Sequence, residues 1–118
     1  MKIVKIAFFS ALLLSFHSVV AHGDHEYDFP LVISESVAVI VAQRAATSMT
    51  RKDAGLGFGQ LSENWATIPK EDKAIFKKGP GYYVVSILNR NESKTLYVLI
   101  SESGDVYDAN MSGDFNTL

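Results

Sequence analysis

Two imidazoles and two carboxylates fall within five residues of this chain: His22, Asp24, His25 and Glu26, inside the stretch "AHGDHEYDF". If a leader is cut off after Ala21, His22 becomes a free N-terminus, and its amine and ring nitrogen can chelate one metal ion. His25 would add a third nitrogen, and Asp24 or Glu26 an oxygen. Such a nitrogen-rich set favours Cu(II) among first-row divalent ions, with zinc as the other candidate. Binding should weaken below neutral pH, because the amine and both imidazoles must lose protons to coordinate. The plainer reading is a hydrated spacer with two incidental histidines. A cut after Gly23, with Ala21 three residues from the new end, would remove the chelate altogether.

Other reactive groups are sparse. The chain has no cysteine, and no histidine follows His25, so the commonest nucleophile and base pairs are missing and an enzyme is not expected. The same absence excludes disulfides, thiolate metal sites and a lipid-modified cysteine after the leader. Asp105, Asp108 and Asp114 could loosely hold calcium, but solvated turn residues are the simpler assignment. Lys73, Lys77 and Lys78 suit a sheet edge, where lysine discourages edge-to-edge aggregation, better than an anion patch. Gly55, Gly57 and Gly59 imitate a phosphate loop, yet they follow a helix instead of a strand and open no second helix. Tyr82, Tyr83, Tyr97 and Tyr107 are different. Strand alternation could place Tyr97 and one or two of the others on a sheet face turned away from the helix, a candidate surface for docking a protein or peptide. Trp65 reads as a core anchor.

The elements that must position these groups follow from the patterning. Residues 1–21 read as a signal peptide: Lys2 and Lys5, an apolar run from Ile6 to Leu14 broken only by Ser10, then Val19 and Ala21 at the cut. Export to the periplasm is the expectation, with no membrane span after processing, since no later segment approaches the roughly 20 apolar residues that spanning needs. Loss of the leader moves the formal charge from −2 to −4, which disfavours nucleic acid as a partner. Residues 22–33 form a flexible arm and lead-in, and residues 34–118 a single domain.

Ser34 is placed as a helix N-cap, with Glu35 favourable at the positive end of the dipole. The helix runs from Glu35 to about Thr50, with Ala38, Val41, Ala42, Ala45 and Met49 on one stripe, Val37 and Ile40 beside it, and Gln43 and Thr47 away from it. Gly55 is expected to cap its end, and Leu56, Phe58 and Leu61 to plug the core there. "WATIP" and "KAIFKK" are expected as short strands around a break at Pro69. "GYYVVSILN" and "KTLYVLIS" form a hairpin across Arg90 to Ser93, and a turn at Ser103 to Asp105 leads to "VYDAN". The expected fold is α+β: one main helix across an antiparallel sheet of about four strands, with Leu96, Val98 and Ile100 on one face of the middle strand.

The order "SESVAVIVAQRAA", a tryptophan, "GPGYYVVSILN", "KTLYVLIS", "SGDVYDAN" and "MSGDF" resembles a family of small exported bacterial proteins without assigned function, and the helix-then-meander plan is similar to the PepSY domain. Trp65, Gly79, Pro80, Leu96 to Val98, Gly104 and Ala109 to Gly113 carry the resemblance in order, and most are packing or turn residues. It implies a periplasmic location, a PepSY-like two-layer fold and inhibitory or ligand-binding behaviour, and it implies no catalytic residues. Members of the small exported family carry a richer histidine run after the leader than His22 and His25.

Overall fold

The computed structural model describes residues 32–116 and 118. Residues 1–31, where the leader and most of the arm are expected, fall outside them.

Helix α1 (Glu35–Arg51) starts where Ser34 Oγ accepts the Val37 backbone N–H at 3.2 Å. Ala38, Val41, Ala42, Ala45, Ala46 and Met49 are its buried apolar residues. The four alanines let its axis come close to the sheet. Val37 and Ile40 are exposed, whereas Gln43 and Thr47, expected to face water, are half-buried. The cause is a 3₁₀ turn, Glu63–Thr67, packed along that side of the helix and held there by Gln43, whose Nε2 donates to the Trp65 carbonyl at 3.0 Å. "WATIP" is therefore not a strand. Its turn places the Trp65 indole in the interior with no exposed surface.

The helix ends without a glycine cap. Lys52 is already extended, and the final carbonyls are met by the returning chain: Leu61 N–H donates to Met49 O at 2.9 Å and Gln60 Nε2 to Thr50 O at 2.8 Å. Gly55, Gly57 and Gly59 all have positive φ, the left-handed geometry that glycine adopts at little cost, and they serve this return loop. Leu56 and Phe58 pack partly buried on the core and Leu61 is buried, as expected.

After a second 3₁₀ turn, Lys70–Asp72, come β1 (Lys73–Gly79), β2 (Tyr82–Asn89), β3 (Lys94–Ser101) and β4 (Val106–Asn110). They form one antiparallel sheet in the order β1-β2-β3-β4, so β1 and β4 are its edges. The α+β arrangement of one helix on a four-stranded sheet matches the expectation. Leu96, Val98 and Ile100 face the helix together with Val85 and Ile87, all at zero exposure. Each such side chain contributes about 1.5–3 kcal/mol through burial. No described helix is long and apolar enough to cross a membrane.

Candidate functional site

The far side of the sheet carries a second, smaller apolar cluster. Val84 and Leu99 are buried there under Phe115, with Tyr82 and Tyr97 packed against them half-buried. Phe115 arrives because the chain turns back after β4. Asn110 Oδ1 accepts the N–H groups of Ser112 and Gly113, at 3.2 and 2.7 Å, and Asn110 Nδ2 donates to the Asp114 carbonyl at 2.9 Å. At Gly113 a Cβ would lie 3.2 Å from the Tyr97 ring, and φ is 78°, so the backbone there lies close against the aromatic face. The face is thus partly roofed by its own C-terminal segment.

What stays open is set by two bulges. Ile75 pairs with Val85 and Lys77 with Val84, so Phe76 is an extra residue in β1; Leu99 pairs with Asp108 and Ile100 with Val106, so Tyr107 is an extra residue in β4. A bulge bends its strand and sends neighbouring side chains to the same side. Phe76 is 54% exposed and meets Tyr97 edge-on, with ring centroids 4.8 Å apart. Tyr107 is 42% exposed. It borders a groove of about 330 Å³ with Tyr82, Leu99, Pro80, Leu118 and Asp108. A shallower recess shares Pro80 and Tyr82 and continues to Val32, Lys78 and Glu102.

Of the four tyrosines singled out from sequence, Tyr82, Tyr97 and Tyr107 share this far side. Tyr83 does not. It packs on the helix-side core, and its hydroxyl donates to the Ile33 carbonyl at 2.7 Å, pinning the lead-in to the sheet. Phe76 joins the face without having been singled out, because the local sequence carries no sign of the bulge that lifts it out.

His22, Asp24, His25 and Glu26 lie outside the described residues. Among the described residues no group of three or more His, Cys, Asp or Glu side chains is placed to hold a metal ion, so Asp105, Asp108 and Asp114 are not gathered into a calcium site. Asp105 serves the turn before β4, whereas Asp108 lies within β4 itself. Asp105 N–H donates to Ser101 Oγ at 3.0 Å, and Asp108 Oδ1 accepts Ala109 N–H at 2.9 Å. Lys73, Lys77 and Lys78 are on the β1 edge as expected, with Lys78 Nζ 2.6 Å from Glu35 Oε2. That hydrogen bond and the Glu35 charge raise the Lys78 pKa.

Polar groups at the opposite end of the sheet lock the connections. Glu92, in the β2–β3 loop, accepts hydrogen bonds from the Ser62 hydroxyl and from Trp65 Nε1, the latter at 3.1 Å. Its pKa is lowered, first by the Ser62 bond and then by the indole. Beside it, buried Asn89 donates to Asn64 Oδ1 at 2.9 Å and its own Oδ1 accepts Glu92 N–H at 3.2 Å. Arg90 grips buried Asp72 with Nε and Nη2, at 2.9–3.1 Å, and Asp72 raises the arginine pKa in turn. These bonds tie both 3₁₀ turns to one hairpin loop. They hold the scaffold, and among the described residues Phe76 and Tyr107, on the far side of the sheet, are the large aromatic side chains left exposed.

A family model described only as a family of unknown function matches residues 1–114. Comparison with curated proteins and with solved structures finds no match.

Proposed function

We propose a docking function for this chain, which belongs to that family of unknown function (DUF6488). The protein is a non-enzymatic periplasmic module, PepSY-like in its helix-then-meander plan, that holds a protein or peptide against the far side of its sheet. One observation carries this reading: bulges in both edge strands turn Phe76 and Tyr107 outward on the face that the C-terminal segment leaves partly open. Stability alone would favour burying those rings, whereas exposed aromatic side chains beside a groove supply contact area at little entropic cost. The apolar leader at residues 1–21 supports export.

The test places a photoreactive benzoylphenylalanine at position 107 in the exported protein, with the exposed helix position 44 as control. Adducts of defined mass from position 107 and none from 44, reduced when Phe76→Ala is added, are expected. Equal labelling from both positions would reject the face.

The second reading is a copper- or zinc-binding accessory protein, and it rests on the sequence of the arm. A cut after Ala21 leaves His22 as the N-terminus, with Asp24, His25 and Glu26 in reach of the same ion.

A further inference from the structure

The groove beside Tyr107 has a chemistry that narrows its occupant. The β4 bulge places Tyr107 and Asp108 next to each other on its wall, opposite Tyr82, with Leu99, Pro80 and Leu118 completing the lining. Two aromatic rings and one carboxylate around an apolar slot match a long cationic side chain. The stem lies on carbon, and the cation meets the carboxylate and the ring faces. The groove's only charged lining side chain among the described residues is Asp108, and the part of the chain that supplies the β4 wall is acidic. Lys94 is the last basic residue, and from residue 95 to 118 the chain has Glu102, Asp105, Asp108 and Asp114 and no lysine, arginine or histidine. Lys73, Lys77 and Lys78 are on β1, the other edge strand, and Lys78, in the recess that adjoins this groove at Pro80 and Tyr82, is paired with Glu35 at 2.6 Å.

We infer that the Tyr82–Tyr107–Asp108 groove receives an arginine side chain of a partner protein. Arginine fits better than lysine, because its planar guanidinium can stack on an aromatic ring while bonding a carboxylate, and it sheds water more readily. The arm of this same chain is a poor occupant on charge, since Asp24, Glu26 and Asp28 would approach an acidic wall. This inference rests on the docking reading and names the partner's chemistry.

The experiment uses the processed, exported protein and three capped pentapeptides that differ only at the centre: arginine, its neutral isostere citrulline, or norleucine. Backbone amide shifts are followed by NMR titration. The arginine peptide should shift the amides of Tyr82, Tyr107 and Asp108, and bind about 3-fold or more tighter than the citrulline peptide, the scale of an exposed ion pair. Asp108→Asn keeps an Oδ1 acceptor for the Ala109 N–H and should bring arginine binding down to the level of citrulline. Equal binding of all three peptides at the groove overturns the arginine assignment but leaves the docking face standing. Shifts confined to other surfaces overturn both. Concentration-dependent shifts of the groove amides without peptide would assign the groove to a second copy, and contacts from the Phe29 ring to Tyr107 would assign it to the arm; either overturns the inference.

Discussion

Val98 is the position at which the architecture can be challenged most directly. It sits on a central strand, pairs with Val85 on one side and Ala109 on the other, and has no exposed surface beneath α1. Val98→Ala removes two buried methyl groups, at about 0.8 kcal/mol each plus a cavity cost, for a loss of about 2–3 kcal/mol. Val98→Asp gives up that burial and also places a carboxylate in an apolar layer, where an unpaired charge costs several kcal/mol more or must take up a proton. Domains of this size are stable by only about 5–10 kcal/mol, so Val98→Ala should fold with a lowered midpoint and Val98→Asp should not fold at neutral pH. Urea titration followed by circular dichroism and Trp65 fluorescence measures both. A Val98→Asp protein that melts cooperatively near the wild-type midpoint would mean that this side of β3 does not face the helix, and the layer assignment would fail.

Phe115→Ala should cost about 3 kcal/mol, near the low end for a buried phenylalanine because the segment roofing Val84 and Leu99 can relax, and amide exchange should rise at residues 111–116 before α1 is affected. For Glu92, the folded pKa lies below its ordinary value of 4.5, so its bonds to Ser62 and Trp65 stabilise the fold above that value and are lost as pH falls through the lower folded value. Glu92→Gln should therefore melt below wild type at pH 7, with the gap closing in acid; a gap constant down to pH 2.5 would refute the linkage. Calorimetric titration of processed protein with Cu(II) and Zn(II) should show binding that disappears when residues 22–26 are deleted, if the arm holds metal, while no binding at micromolar concentration rejects that second reading.

Much of the scaffold was legible because it is local. The Ser34 cap, the alanine stripe of α1 and the alternation of β2 and β3 each depend on neighbours within one or two turns or on a period of two, and all reappear in the structure. The hairpin loop at 90–93 and the turn before Val106 were equally readable from their polar residues. The candidate face was legible only in part. Alternation correctly set Tyr97 opposite Leu96 and Val98, but adjacent Tyr82 and Tyr83 must point to opposite sides, and only the pairing of β2 decides which of the two meets the helix.

By itself, then, the order of residues determined one helix, a three-strand meander and which side of β3 is apolar, since helix and strand periodicities are written along the chain. The tertiary structure alone decided that "WATIP" coils into a turn around Trp65, that Phe76 and Tyr107 are squeezed out as bulges, and that Phe115 folds back over the sheet. Each of these depends on contact between separate segments, some in adjacent strands and some distant in sequence, chosen by how volume fills and how strands register, and neither quantity exists until the segments meet.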